Sequence, residues 1–221
     1  FEKIEQALDS ALHDRSVKWI AFFSNLEKGF CAGGDVKRLY NEDADSVELA
    51  YSRRFFETEY RVDQKVWDFP KPVIALTHGV TMGGGIGLIR GAAHRVVTRD
   101  SVLAMPEISI GLYPDVGATF FLHQVPSPWR ELMAFCGYRL NGPQALALGL
   151  ASHCLSSIPK GGWPGLLNTL DEMLVSRPGQ SDAEIARFLD AQPSITSQRL
   201  PKISGALQAV LLAPTPTEVW E

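Results

Sequence analysis

Two glycine-rich turns carry the backbone groups best suited to chemistry in this sequence. The first lies within residues 29–35 (GFCAGGD) and the second within 78–87 (HGVTMGGGIG). Each precedes a run that is typical of a helix, and each comes after an apolar run that is typical of a buried strand. Glycine has no Cβ, so a ligand can approach its backbone closely, and the first N–H groups of a helix have no acceptor within it. Both turns therefore predict donors for a developing negative charge.

Three carboxylates lie near these turns or in the segment that follows them. Glu59 falls close to the apolar face of a long predicted helix. Glu107 comes directly after a predicted strand, and Asp115 comes just before a predicted helix. Carboxylates can move protons or attack a carbonyl carbon, so these three are the candidates for acid–base or nucleophilic chemistry.

Each carboxylate also has a structural explanation when it is considered alone. Glu59 could pair with Arg53 or Arg54 on a solvated edge of its helix. Glu107 could be an ordinary loop carboxylate, and Asp115 could cap the helix that follows it. The glycines could serve only to pack a helix closely on a sheet.

Several common motifs are absent from the sequence. The glycine run does not complete a G-x-G-x-x-G pattern, because Leu88 and Arg90 stand where the last glycine is needed. There is also no G-x-x-x-x-G-K-[ST], no G-x-S-x-G and no H-E-x-x-H. A dinucleotide loop, a P-loop, a serine-hydrolase elbow and a zincin site therefore lose their support.

The composition is that of an ordinary globular domain. Of the 221 residues, 45% are hydrophobic and 21% are charged, and 21 basic against 25 acidic residues leave a net charge of −4. This balance excludes the basic footprint of a nucleic-acid-binding protein, and no apolar run approaches the length of a membrane helix. The three cysteines have no C-x-x-C spacing, which argues against zinc or a disulfide framework and favours a reducing compartment.

The order of predicted elements indicates an α/β core followed by helices. A helical pattern opens the chain, and a second long one begins near residue 45 and ends at Pro70 and Pro72. A short helix is expected to start at Leu88, after the central glycines. Other strands are predicted over 17–23, 72–76, 95–98, 102–104 and 150–155, and other helices over 129–135, 143–148, 163–174, 183–189 and 203–212.

Four motifs together resemble the crotonase (enoyl-CoA hydratase/isomerase) superfamily in order and spacing. Within that superfamily they look most like its thioester hydrolases. The resemblance covers roughly residues 1–155 and implies a crotonase-like spiral of ββα units, with the family's first strand missing and a helical C-terminal region over 156–221. The motifs are residues 30–35 (FCAGGD), 78–87 (HGVTMGGGIG), 105–107 (MPE) and 110–117 (IGLYPDVG).

The resemblance assigns roles to five residues. In this family two backbone N–H groups grip the thioester carbonyl of an acyl-CoA, and the matching positions are Gly34 and Gly84. Glu107 and Asp115 match the catalytic carboxylates of the hydrolases, and Glu59 matches a further substrate-binding glutamate. The implied substrate-binding set is therefore Glu59, Gly84, Glu107 and Asp115.

The identity of residue 87, a glycine, favours hydrolysis over hydration. The hydratases of the superfamily add water with two glutamates, and Gly87 occupies the position of the first of them. Only Glu107 then remains of that pair. The expected activity is hydrolysis of a short 3-hydroxyacyl-CoA, with Glu107 as general base or as nucleophile and Asp115 orienting the water or the substrate hydroxyl.

No cofactor and no metal are expected, since coenzyme A is part of the substrate. The expected partner is the acyl-CoA alone, without nucleic acid or membrane, in a monomer or in a homo-oligomer such as a trimer or hexamer. The bacterial cytoplasm and the mitochondrial matrix both suit this chemistry. The chain begins at Phe1 inside a helical pattern, so an upstream segment is expected.

Two other functions fit the same residues. An enoyl-CoA isomerase needs only one base and leaves the thioester intact, so an enoyl-CoA hydratase/isomerase is the alternative enzyme. A non-catalytic acyl-CoA-binding or scaffold protein is the alternative from a different class.

Overall fold

Three successive pairs of strands form the centre of the protein in a computed structural model that describes residues 1–40, 49–176, 181–196, 199–205 and 207. The first strand of each pair joins one sheet and the second strand joins another, so the chain alternates between two layers. This repetition is the predicted ββα spiral. The pairs are β1 (Ile20–Phe23) with β2 (Gly29–Cys31), β3 (Val73–Leu76) with β4 (Val80–Met82), and β5 (His94–Thr98) with β6 (Val102–Ala104).

Two further strands complete the sheets. They are β7 (Leu140–Asn141) and β8 (His153–Leu155). The first sheet has the order β1-β3-β5-β8 and is parallel throughout. The second has the order β2-β4-β6-β7, and only the β6–β7 pair is antiparallel. Because β2 and β4 are parallel neighbours, the two glycine turns that follow them leave the same edge of the second sheet.

Helices connect and cover these strands. The helices within the core region are α1 (Glu2–His13), α2 (Val36–Tyr40), α3 (Leu49–Trp67), α4 (Gly84–Arg90), α5 (Ala118–His123), α6 (Trp129–Cys136) and α7 (Gly142–Ala147). Two more helices follow, α8 (Gly162–Val175) and α9 (Ser181–Asp190), and a short 3₁₀ turn spans Glu107–Ile110. None of the described helices is long and apolar enough to cross a membrane.

The helix α4 forms although three of its seven residues are glycine. Each glycine costs about 1 kcal/mol relative to alanine in a helix interior. The three aliphatic side chains between and after the glycines are almost completely buried, namely Ile86, Leu88 and Ile89. Burial of such side chains contributes about 1.5–3 kcal/mol each, which offsets the poor propensity. Tertiary packing therefore holds this helix.

The C-terminal helices pack on the first sheet. Trp163 of α8 is almost fully buried there, and its indole N–H donates to Nδ1 of His78, the first residue of the second glycine motif. On the other side of the ring, Nε2 of His78 lies 2.8 Å from the carbonyl oxygen of Leu26. This chain of contacts ties α8 to the start of the site-forming segment.

The α/β class and the order of the main elements are confirmed. Helix α4 begins at Gly84, so the expectation of a start at Leu88 was wrong by one helical turn. The sequence interpretation also missed β2, β4, β7 and the 3₁₀ turn. The predicted helix over 203–212 lies largely outside the described residues, as does the start of the long helical pattern near 45. The division into regions 1–155 and 156–221 stays a prediction.

Candidate active site

One face of α3 covers both glycine turns. Phe55, Glu59 and Asp63 follow one another at intervals of four residues, so they form a stripe along one side of the helix. Phe55 lies over Gly34 of the first turn, whereas Glu59 and Asp63 lie over α4. The packing of α3 on α4 therefore brings two carboxylates to the last glycines of the second motif.

The carboxylates occupy the space that side chains would fill if these glycines were replaced. A Cβ placed on Gly83 would lie 2.9 Å from Glu107 Oε1, and one placed on Gly87 would lie 2.7 Å from Asp63 Oδ2. A Cβ on Gly84 would overlap Oε1 of Glu59. The glycine face of α4 is thus in contact with three different carboxyl groups.

Gly84 is the first residue of α4, and Gly83 before it has a positive φ of 53°. The N–H of a first helical residue has no acceptor within its helix. Glu59 and Glu107 both approach this point. Gly84 can therefore offer a backbone donor to a ligand beside two carboxyl groups.

The first glycine turn packs against the second. A Cβ placed on Gly85 would lie 2.8 Å from Cβ of Cys31, and one placed on Gly33 would lie 3.6 Å from the carbonyl oxygen of Met82. Gly34 comes next in this turn, and the ring of Phe55 occupies the space that a side chain on Gly34 would fill. The structure thus places the two predicted oxyanion turns side by side.

Glu107 sits at the exit of β6, where Pro106 ends the extended segment and the 3₁₀ turn begins. Only 7% of the residue is exposed. Its Oε2 is buried without a hydrogen-bond partner among the described residues. A buried carboxyl oxygen without a partner is unfavourable, so this atom is suited to bind a water molecule or a substrate group.

Asp115 is held from α3. The phenol of Tyr60 donates a hydrogen bond of 2.6 Å to Oδ2 of Asp115. The next residue, Val116, has a positive φ of 43°, which is rare and strained for a β-branched side chain. Val116 packs against Gly87, so the strained backbone is fixed by contact with α4. Oδ1 of Asp115 is not engaged by Tyr60.

Burial and mutual repulsion raise the pKa of the carboxyl groups. The pKa of Glu107 rises to about 7 through burial and then through the charge of Asp115. The pKa of Glu59 also rises to about 7, first through burial and then through Asp115 and Glu107. Burial, Glu59 and Asp115 raise the pKa of Asp63 to about 8. In the described part of the chain, no three such side chains are arranged to hold a metal ion that would offset this repulsion.

The structure brings together the residues that the sequence singled out. Glu59 is only 3% exposed, so the alternative of a solvated pair with Arg53 or Arg54 was wrong. The helix-cap explanation for Asp115 was also wrong, because the residue that caps α5 is Gly117. The sequence interpretation missed Tyr60 and Asp63. Spacing of one helical turn after Glu59 was the signal that could have identified Asp63.

This arrangement can support acyl chemistry. Two neighbouring backbone turns offer N–H groups to a carbonyl oxygen, and a buried carboxyl with a pKa near neutrality lies beside one of them. The N–H groups can stabilise an oxyanion, and the carboxyl can move a proton or form a bond at the adjacent carbon.

Residues 1–219 match the enoyl-CoA hydratase/isomerase family, and the chain belongs to this family, also called the crotonase family. The family binds acyl-CoA substrates. A solved structure of a carnitinyl-CoA dehydratase from Mycobacterium thermoresistibile superimposes with a TM-score of 0.74 at 27% identity, covering 99% of this chain and 60% of that one.

Among characterised relatives, the chain is similar to a mitochondrial 3-hydroxyisobutyryl-CoA hydrolase of Gallus gallus. The two are 39% identical over 165 residues, which make up 75% of this chain and 40% of that protein. The chain is also 40% identical over 136 residues to the small ribosomal subunit protein mS47 of Neurospora crassa, covering 60% of this chain and 27% of that protein. The chain thus spans well under half the length of these two relatives.

Proposed function

We propose that the protein hydrolyses the thioester of a short 3-hydroxyacyl-CoA such as 3-hydroxyisobutyryl-CoA, releasing coenzyme A and a hydroxy acid. The observation that carries this proposal is the buried Glu107. Its carboxyl lies against the glycine motif and has a pKa of about 7, and one of its oxygens has no hydrogen-bond partner in the described part of the chain. The similarity to 3-hydroxyisobutyryl-CoA hydrolases supports the choice of reaction.

The carbonyl oxygen of the thioester binds to the N–H groups of Gly34 and Gly84. When water or a carboxylate attacks the carbonyl carbon, negative charge develops on this oxygen, and two fixed donors stabilise it. The absence of side chains at both positions lets Phe55 and Glu59 pack directly on the two turns.

Glu107 can drive the attack by either of two routes. As general base it removes a proton from water, the hydroxyl adds to the carbonyl carbon, the carbon–sulfur bond breaks, and the sulfur leaves as the thiol with that proton. As nucleophile its carboxylate attacks the carbon and expels the thiolate, and water then opens the resulting anhydride. In both routes one water is consumed.

Asp115 acts beside Glu107. Tyr60 fixes one of its oxygens, and the other remains to orient the attacking water. Its charge also raises the pKa of Glu107, which makes that group a stronger base near neutral pH.

The first test is thiol release from 3-hydroxyisobutyryl-CoA and 3-hydroxypropionyl-CoA, with crotonyl-CoA as the comparison substrate. We expect release from both hydroxyacyl thioesters and little change in crotonyl-CoA. Conversion of crotonyl-CoA with an intact thioester and no thiol release would replace the proposal by a hydratase or isomerase. Binding of all three without reaction would favour a non-catalytic acyl-CoA-binding protein, an alternative kept in view by the similarity to a ribosomal protein.

The pH dependence of the hydrolysis is expected to follow Glu107. The group must be ionised in either route, so kcat/KM should rise as the pH passes about 7 and then level off. In Asp115→Asn the negative neighbour is gone and the pKa of Glu107 falls, so the rise should move to lower pH although the maximal rate drops. Exposed Asp171→Asn on α8 is the control and should leave the profile in place. A profile of Asp115→Asn that stays in place or moves to higher pH would contradict this assignment.

The reaction would be a step of valine breakdown and uses no cofactor. The word "mitochondrial" in the names of the hydrolases supports the mitochondrial matrix over the bacterial cytoplasm as the expected compartment. A monomer and a trimer or hexamer remain the expected oligomeric states.

A further inference from the structure

The carboxyl of Asp63 has no role in the reaction proposed above and no partner in the described part of the chain. Both of its oxygens are buried, and neither has a hydrogen bond. A buried carboxyl without partners is unfavourable for folding. An explanation for such a group is a ligand that supplies the missing hydrogen bond.

Asp63 lies at the distance from Gly84 that a short acyl chain can reach. Its Oδ2 lies against Gly87, three residues beyond Gly84 along α4. Three residues of helix advance about 4.5 Å. Glu59 and Val116 cover the glycine face of α4 itself, but Gly87 and Asp63 also line one cavity. An acyl group whose carbonyl oxygen is held at Gly84 and whose third carbon enters this cavity brings a hydroxyl on that carbon to Asp63.

A cavity of about 390 Å³ borders this point. Its walls are largely aromatic and aliphatic, and Asp63 is its one carboxylate among the described residues. Arg90 also lines the cavity, but it donates to the carbonyl oxygens of Gly149 and Leu150. The aromatic and aliphatic lining consists of Tyr60, Trp67, Val116, Phe120 and Phe121.

Most neighbouring polar groups are engaged, although Nε of Arg90 has no hydrogen-bond partner among the described residues. The phenol of Tyr60 donates to Asp115, and the side-chain amide of Gln64 donates to Asp68. Asp63 is therefore the polar side chain of this cavity that retains its full capacity for hydrogen bonding.

We propose that Asp63 selects the substrate by binding the hydroxyl of a 3-hydroxyacyl chain. The inference rests on the proposed function, in that it assumes an acyl-CoA whose carbonyl is held at Gly84. In this arrangement Asp63 binds the substrate hydroxyl and Asp115 orients the attacking water. A chain of the same shape without the hydroxyl would leave the buried carboxyl unpaired and would bind poorly.

The test compares 3-hydroxyisobutyryl-CoA with isobutyryl-CoA, which differs only in lacking the hydroxyl. Dissociation constants are measured by calorimetry in the Glu107→Gln background, where the thioester stays intact. We expect the hydroxylated thioester to bind at least about 100-fold more tightly. Adding Asp63→Leu should reduce this ratio to less than about tenfold, whereas Asp63→Asn should keep most of it, because an amide oxygen still accepts a hydrogen bond. Glu57→Leu, an exposed carboxylate of the same helix outside this cavity, is the control and should leave the ratio unchanged.

Equal binding of the two thioesters in the Glu107→Gln background would overturn the inference, even if Asp63→Leu did not fold. A ratio that Asp63→Leu leaves unchanged would overturn it as well. Discrimination at Asp63 in a protein that releases no thiol would support the inference and reject the hydrolase proposal. Thiol release from both thioesters at equal rates would support hydrolysis and reject the role of Asp63.

Discussion

Replacing Glu107 with glutamine is expected to lower kcat for 3-hydroxyacyl-CoA hydrolysis by about 10³-fold, within the range of general-base losses. Glutamine fills the same buried space beside Gly83, so substrate binding should change by less than about tenfold. The amide has no negative charge, so it can neither accept the proton of water nor attack the thioester carbon. Steady-state thiol release and the dissociation constant of the unreacted thioester separate the two effects.

Glu131→Gln is the matched control for this experiment. Glu131 is also largely buried, but it lies on α6 and pairs with Arg130. This variant should keep kcat within about twofold, because Glu131 lies outside the proposed site. Retained turnover in Glu107→Gln would remove the residue on which the hydrolase proposal depends.

Replacing Gly84 with alanine is expected to lower kcat/KM by about 10²–10³-fold, the typical effect of losing one oxyanion donor. The added methyl group would overlap Oε1 of Glu59, so either Glu59 or the start of α4 has to move. If the start of α4 moves, the N–H of Gly84 is displaced from the carbonyl oxygen. If Glu59 moves instead, the added methyl group keeps the carbonyl oxygen away from that N–H. The measurement is kcat/KM for thiol release, with circular dichroism to check that the fold is retained.

Gly165→Ala in α8 provides the comparison for this substitution. A Cβ there would meet the carbonyl oxygen of Lys160 at 3.5 Å, an ordinary contact, and alanine favours the helix. The variant should be as active as the original protein and at least as stable. Equal activity of Gly84→Ala and Gly165→Ala would show that Gly84 does not hold the reacting carbonyl.

The motifs could single out Gly34, Gly84, Glu107 and Asp115 because each lies in a short local pattern, and their roles stay a prediction. The strands β2 and β4 were not predictable in the same way. Each has three residues and lies in or beside a glycine run, so neither carries the alternation of apolar and polar residues that identifies a strand. Their pairing, however, is what sets the two glycine turns next to each other.

The contribution of α3 needed the structure. Asp63 looks like any charged residue of an amphipathic helix in sequence, and its burial follows only from how closely α3 approaches α4. That approach depends on glycines some 20 residues further along the chain. Local patterns cannot report a contact between two elements that are separated in this way.

The glycine face of α4 also has a consequence for how the protein can change over time. A side chain at Gly83, Gly84 or Gly87 would displace a carboxyl group of another element, so we expect substitution at these positions to disturb the site. The residues of α3 that face these glycines are not themselves glycines. A single substitution on α3 therefore places a new functional group against the glycine face of α4. In the proposed site, substrate preference can therefore change through substitutions on α3 while the two glycine turns stay the same.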